Sequence, residues 1–291
     1  MESFGDILTA MVTPFTIDLQ VDQVAFARLA DHLLASGSDG LVVAGTTGES
    51  PTLSDDEKVG LFRDAVQVAA GRGPVIAGTG SNDTEHSVAL TRRAEDAGVD
   101  GVLVVAPYYN KPPERGLRAH FEAVAAATTL PVIIYNIPSR CIVNMSAELL
   151  AELSAVENIV AVKQANPDLE QSRRLLELCD LGLYAGNDDM TRDVAAMGGW
   201  GCISVASHLV GRQLKELVAA ARGGDEVRAA RIEGELAPLI EALFCTSSPI
   251  PVKAALNMLG HEVGGLRLPL VPADDEERRR VEVELERLGL L

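Results

Sequence analysis

The chain has 291 residues, 47% of them hydrophobic, a length that suits one large α/β barrel or two modest domains and supplies material for a large core. Its 42 acidic residues against 25 basic ones give a formal charge of −17, a surface that repels DNA and anionic lipid and argues against a nucleic-acid binder or a peripheral membrane protein. No run approaches about 18 unbroken apolar residues, and the N-terminus lacks a basic-then-apolar secretion pattern, so a cytoplasmic protein is expected.

Short apolar, β-branched runs recur along the first two-thirds of the chain: Ile7–Val12, Leu41–Ala44, Val75–Ala77, Val102–Ala106, Val132–Tyr135, Ile159–Val162, Leu183–Ala185 and Cys202–Val205. Segments with helical spacing lie between them, such as Val24, Phe26, Leu29, Ala30, Leu33 and Leu34, then Val59, Leu61, Phe62, Ala65, Val66 and Ala69. Ser54-Asp55-Asp56-Glu57 has capping-box spacing, and Ser146-Ala147-Glu148 starts another helix. Gly37, Gly71, Gly98 and Gly182 are expected where helices stop before the next strand. Eight such units fit either an open doubly wound sheet or a closed barrel. The first β–α loop holds no GxGxxG, which favours a (β/α)8 TIM barrel over residues 1–224. Helices alone follow, at Gln213–Ala221, about Glu226–Phe244, Pro251–Leu259 and Asp274–Leu288. The first completes the barrel, and residues 225–291 form a C-terminal helical domain packed against it, since no Pro-, Gly- or Ser-rich linker intervenes.

In a barrel, chemistry belongs at the C-terminal ends of the strands. Those ends carry Gly45-Thr46-Thr47-Gly48-Glu49-Ser50, Gly78-Thr79-Gly80-Ser81-Asn82, Pro107-Tyr108-Tyr109-Asn110, Tyr135-Asn136-Ile137-Pro138-Ser139-Arg140, Lys163 and Gly186-Asn187-Asp188. Lys163 alone of the five lysines interrupts a strand; Lys58 and Lys215 fall on helices, Lys111 in a polar loop and Lys253 in the terminal helical part. Two readings stand for Lys163: a strand-end lysine snorkelling to solvent or paired with an acid, or a Schiff-base nucleophile whose pKa burial lowers by up to about 3–5 units. Three of the four tyrosines (Tyr108, Tyr109 and Tyr135) cluster at adjacent strand ends, where they either pack the rim or relay protons with Thr46-Thr47. Backbone N–H groups of the Gly45–Gly48 turn suit a carboxylate, as does the Arg140 guanidinium, although Arg140 also reads as a surface residue. The five histidines (His32, His86, His120, His208 and His261) lack ligand spacing, so no catalytic metal is expected; His86 and His120 are placed on solvated helix faces. Cys141, Cys179, Cys202 and Cys245 read as buried free thiols.

Gly45-Thr-Thr-Gly-Glu-Ser50, Pro107-Tyr-Tyr109, Tyr135-Asn-Ile-Pro-Ser-Arg140 and Val162-Lys163 follow the motif order of the dihydrodipicolinate synthase (4-hydroxy-tetrahydrodipicolinate synthase) family, a branch of the class I pyruvate-dependent aldolases and lyases, and the chain resembles it over nearly its whole length. The resemblance implies that Lys163 forms an imine with pyruvate without a cofactor and that Thr46 and Thr47 hold the pyruvate carboxylate. It implies that Tyr135 is the general acid/base, linked through Thr47 to Tyr109 from a neighbouring subunit. Arg140 would bind L-aspartate semialdehyde, and Gly186 and Ile203 would line the pyruvate pocket. It further implies a homo-oligomer, usually a tetramer built as a dimer of dimers, feeding diaminopimelate and lysine synthesis. The family's lysine-inhibitor site maps near Ser50, Asn82, His86 and Tyr108. Asp55, Lys58 and His86 replace the His and Glu of lysine-sensitive members, so weak or absent feedback inhibition is expected. Gln164, Asn187 and Cys141-Ile142 depart from the common pattern. Two alternatives stand beside this reading: another pyruvate-dependent aldolase, for 2-keto-3-deoxy sugar acids or 4-hydroxy-2-oxoglutarate, and a non-catalytic small-molecule-binding barrel.

Overall fold

Every apolar run forms one parallel strand in the computed structural model, which describes residues 3–291. The strands are β1 (Ile7–Ala10), β2 (Gly40–Val43), β3 (Val75–Gly78), β4 (Gly101–Val105), β5 (Val132–Asn136), β6 (Ile159–Gln164), β7 (Gly182–Ala185) and β8 (Gly201–Ser204). They pair in sequence order, and β8 returns to β1 through Ile7↔Cys202, Leu8↔Ile203 and Thr9↔Ser204, so the sheet is a closed eight-stranded barrel. Almost every strand residue is buried. That explains their near-continuous apolar character: one face meets the barrel interior and the other meets the helices.

The barrel helices are α1 (Gln23–Ala35), α2 (Asp55–Ala69), α3 (Thr84–Asp96), α4 (Glu114–Ala125), α5 (Pro138–Cys141), α6 (Ala147–Leu153), α7 (Leu169–Leu178), α8 (Thr191–Ala196) and α9 (Ser207–Arg222). The capping box at Ser54 forms in full, and Ser146 accepts from Leu149 N–H. Helix α9 begins before the expected Gln213 and kinks at Val210, whose backbone leaves helical geometry (φ −131°, ψ 36°). A Gly223-Gly224 turn leads into α10 (Glu226–Leu243), followed by α11 (Ile250–Met258) and α12 (Asp275–Arg287). Helix α10 lies on α9, and α12 packs on α10 and α11. No helix among the described residues is long and apolar enough to cross a membrane.

The C-terminal helices are tied to the barrel by a buried ion pair. Lys253 Nζ on α11 donates to Glu49 Oε1 at 2.8 Å, with both side chains almost wholly enclosed. The Phe15 ring meets this amine, 4.3 Å from its centroid, and also the Arg267 guanidinium at 4.5 Å. Arg267 in turn forms a bidentate pair with Glu57 of α2, which holds that carboxyl down at about 2.

Several expectations are corrected. His120 is not on a solvated face: it is 4% exposed, and its Nδ1 lies 2.9 Å from Thr84 Oγ1. Burial holds its pKa at about 4. The reason is its place in the row Leu117, His120, Phe121, Val124, which α4 turns inward. His86 is half-buried and meets Asp55 at 2.9 Å instead of standing free in solvent. Only Cys141 and Cys202 are fully buried thiols; Cys179 and Cys245 are partly exposed. Val24 points outward, 70% exposed.

Gly182 does not end a helix. It is the first residue of β7, and the Trp200 indole occupies the space that a Cβ would need, with ring atoms 2.4 Å from that position. Gly182→Ala should therefore overpack this contact and destabilise the fold by about 1–3 kcal/mol. Urea unfolding followed by the fluorescence of Trp200, the chain's single tryptophan, measures it; an unchanged midpoint would contradict the packing argument.

Candidate active site at the barrel mouth

Lys163 lies near the C-terminal end of β6, directly across from Tyr135 of β5 and Tyr184 of β7 in the strand register. It is 5% exposed, and its Nζ lies 4.2 Å from the centroid of the Tyr135 ring. Burial brings its pKa down to about 8, with the nearby Asp188 carboxylate acting against the shift and the Arg140 charge adding to it. An amine with that pKa is neutral roughly one time in ten at pH 7, against about one in 2,500 for a free lysine. Desolvation thus enlarges the fraction of the amine whose lone pair is free.

Tyr135 is 6% exposed, and burial raises its phenol well above the ordinary tyrosine range; the Arg140 charge and a hydrogen bond with Thr46 pull the other way. The phenol therefore keeps its proton at neutral pH. Above it opens a cleft of about 230 Å³. Thr46, Tyr108 and Arg140 supply its polar edge, with Leu103, Val105 and Ile137 among its apolar walls. Arg140 is exposed, and its Nη2 reaches the Ser248 carbonyl between α10 and α11 at 3.4 Å. Arg140 thus gives the cleft a cationic edge, and Lys163, which does not itself line the cleft, lies against the Tyr135 ring that does.

Of the two threonines, Thr46 lines the cleft together with Tyr135, whereas Thr47 is buried and does not line it. Tyr109 lies outside the cleft, 87% exposed, with its backbone in the left-handed region (φ 72°). Gly186 and Ile203 sit on neighbouring strand ends but not on the cleft wall. Gly186 donates to the Gln164 carbonyl at 2.7 Å, and a Cβ there would come within 2.8 Å of Ala165. Close passage of these two strand ends requires glycine. Among the described residues, no group of three or more His, Cys, Asp or Glu side chains is arranged to hold a metal ion.

The departures from the family pattern fall in different places. Gln164 is wholly buried, and its Oε1 accepts from Asn136 Nδ2 at 2.9 Å; it alternates with Lys163 along the strand and so faces away from the cleft. Asn187 meets only the Met190 sulfur, at 3.7 Å. Cys141 alone lines the cleft; its Sγ donates to the Ala106 carbonyl at 3.2 Å, and burial pushes its thiol up to about 11.

A second cavity of about 330 Å³ adjoins the first, and Ser50, Pro51, Gly80 and Tyr108 border both. Asn82, Asp55, Lys58 and His86 line it, so the residues read as an inhibitor region do come together. His86 bridges Ser81 Oγ at 3.2 Å and Asp55 at 2.9 Å, and the enclosed Lys58 amine lies 3.8 Å from the same carboxylate.

Sequence reasoning assigned no role to Asp188 or to the Glu49–Lys253 pair. Asp188 is buried near Lys163 and accepts from Ser204 Oγ and from the N–H groups of Val205 (3.0 Å) and Ala206 (3.2 Å) where α9 begins. Lys253 carries the same signal that revealed Lys163, a lone ammonium within an apolar run (Ile250-Pro-Val-Lys-Ala-Ala-Leu256).

The price of the prepared amine is stability. A folded-state pKa of about 8 against 10.5 for a free lysine means that the folded chain resists the charged form. The penalty is about 3 kcal/mol, fully present below pH 8 and fading as the pH rises toward 10.5. Lys163→Met should therefore unfold at higher urea than the parent at pH 7, with the difference shrinking at alkaline pH. A less stable variant at pH 7 would refute the desolvation argument.

The sequence profile of the Dihydrodipicolinate synthetase family matches residues 3–288. A 4-hydroxy-tetrahydrodipicolinate synthase of Heliobacterium modesticaldum is 52% identical over 289 residues, covering 99% of this chain and 96% of that one. Another, of Moorella thermoacetica, is 51% identical and covers 99% of each. The crystal structure of DHDPS from Cyanidioschyzon merolae with lysine bound superposes with a TM-score of 0.97 at 43% identity, covering 99% of both chains. With the barrel, the buried strand lysine and this full-length likeness in agreement, the chain belongs to the Dihydrodipicolinate synthetase family.

Proposed function

We propose that this chain catalyses the 4-hydroxy-tetrahydrodipicolinate synthase reaction, condensing pyruvate with L-aspartate 4-semialdehyde through an imine on Lys163. The observation that carries this reading is the desolvated Lys163 amine, 4.2 Å from the centroid of the Tyr135 ring, which itself lines a cleft together with Arg140. The amine attacks the pyruvate carbonyl, and water leaves as the imine forms. Loss of a C3 proton gives the enamine, which attacks the aldehyde carbon while Tyr135 delivers a proton to the resulting alkoxide. The amino group of the semialdehyde then adds to the iminium carbon and displaces Lys163, closing the ring. The iminium itself is the electron sink, so the chemistry requires neither metal nor cofactor.

Donors of the Gly45–Gly48 turn and the Thr46 hydroxyl face the pyruvate carboxylate, and Arg140 receives that of the semialdehyde. The proton route from Tyr135 passes to Thr46 and on to Tyr109 of a second subunit. The exposure and left-handed backbone of Tyr109, and likewise of Ile142 (φ 66°), support a homo-oligomer, read as a tetramer of two dimers. Four free thiols suit a reducing cytoplasm. In the adjoining cavity, the Lys58 amine opposes an incoming lysine ammonium, and His86 offers it no carboxylate beyond the already engaged Asp55.

Borohydride reduction in the presence of pyruvate, followed by mass spectrometry, should place the adduct on Lys163 and leave Lys163→Ala unmodified; an absent adduct removes the enzymatic reading. Turnover should be found with aspartate semialdehyde in preference to other aldehydes, and preference for a sugar-acid aldehyde would reassign the acceptor. Arg140→Ala should retain the adduct while losing on the order of 10²-fold in kcat/KM for the semialdehyde, about the cost of one charged hydrogen-bond pair. Equal loss of pyruvate capture in both variants would contradict the assigned roles. Strong inhibition by submillimolar lysine would overturn the reading of Lys58 and His86.

A further inference from the structure

The turn that carries Thr46 is secured from outside the barrel. Glu49 N–H donates to the Thr46 carbonyl at 3.1 Å, and the N–H groups of Gly48 and Ser50 both donate to the Gly45 carbonyl, at 3.1 and 3.2 Å. Thr13 Oγ1 donates to the Gly48 carbonyl at 2.7 Å. Glu49 itself adopts left-handed backbone geometry (φ 58°, ψ 35°), a conformation that glycine would take at no steric cost. A glutamate persists there with its carboxylate out of water and both oxygens engaged. Oε1 accepts from Lys253 Nζ at 2.8 Å and Oε2 from Arg267 N–H at 3.0 Å. Lys253 Nζ has a second acceptor, the Gly265 carbonyl at 2.5 Å. Neither Glu49 nor Lys253 lines the cleft. A line of hydrogen bonds therefore runs from α11 through Lys253 and Glu49 to the Thr46 backbone, and Thr46 and Tyr135 line the same cleft.

We propose that Glu49 and Lys253 are positioning residues: through their ion pair, the C-terminal helical domain fixes the turn that presents the Thr46 hydroxyl to Tyr135. This rests on the reading that Lys163 carries pyruvate and that Tyr135 moves protons. The pair acts on Thr46 and not on the nucleophile, because β6 is braced on both sides by its own ladders to β5 and β7. Its loss slows the proton-transfer steps and weakens the turn's hold on the pyruvate carboxylate, while the Lys163 amine still captures pyruvate at saturation.

The test uses the full chain, with Glu49→Gln and the double variant Glu49→Gln/Lys253→Met. Thermal midpoint, borohydride trapping of pyruvate, steady-state constants and the pH profile of kcat are measured for each. The expected result is trapping on Lys163 equal to the parent at saturating pyruvate, with a raised KM for pyruvate. With these, kcat should fall on the order of 10–100-fold, the scale of a misplaced catalytic group, well below each variant's midpoint. The pH profile of kcat should shift as Tyr135 loses its fixed partner. The double variant, which leaves no unpaired buried charge, should regain thermal stability but not kcat. Recovery of kcat together with stability in the double variant, or parental kcat in folded Glu49→Gln, would overturn the proposal. Failure of both variants to fold would also overturn it, since the pair would then hold the whole structure and not the turn. A parent that traps no pyruvate on Lys163 would instead remove the functional reading on which the proposal stands.

Discussion

Closing eight strands around Lys163 leaves its amine with almost no water and one aromatic face for company. An ammonium there is costly, and the chain meets the cost by letting the proton go more easily instead of by direct pairing with a carboxylate. Asp188, the one nearby carboxylate, is occupied with the N–H groups at the start of α9 and with Ser204, so it moderates the shift without cancelling it. The same enclosure keeps the Tyr135 phenol protonated. Desolvation thus acts in opposite directions on neighbouring side chains: the amine gives up its proton more readily than a free lysine, and the phenol holds its proton more tightly.

The barrel was legible because its strands are buried on both faces and so read as unbroken apolar runs, each bounded by helical periodicity. Lys163 was legible because an ammonium inside such a run has few explanations. Residues whose roles depend on the other side of a turn were harder to read. Thr46 and Thr47 are adjacent hydroxyls in one motif, and only the fold of the turn decides which of them meets Tyr135. His120 was misplaced because its polarity outweighed its position in an otherwise apolar helical row. Gly182 was misread because its need for glycine comes from Trp200, a residue 18 positions away whose packing no local pattern announces.

The C-terminal helices do more than cover one side of the barrel. Their Lys253 penetrates to the Gly45–Ser50 turn, and the segment after α11 brings Arg267 over the Phe15 ring as well. A buried pair of this kind contributes little net stability, yet removing one partner alone typically costs about 3–5 kcal/mol. Glu49 adds a backbone cost on the order of 1 kcal/mol through its left-handed conformation. Such an arrangement suits a contact that specifies where a turn lies more than how tightly the chain folds.

Glu49 and Lys253 are separated by 204 positions. At a synthesis rate of about 5–20 residues per second, the turn that follows β2 waits roughly 10–40 s after its own translation before its ionic partner exists. For most of that interval a nascent barrel can collapse and pair its strands, but the Glu49 carboxylate must remain hydrated and its turn unset. Completion of the mouth is therefore a late event in the life of each chain, timed by the ribosome's arrival at α11 and not by closure of the sheet. A truncated product that had assembled all eight strands would still lack the contact that finishes the turn.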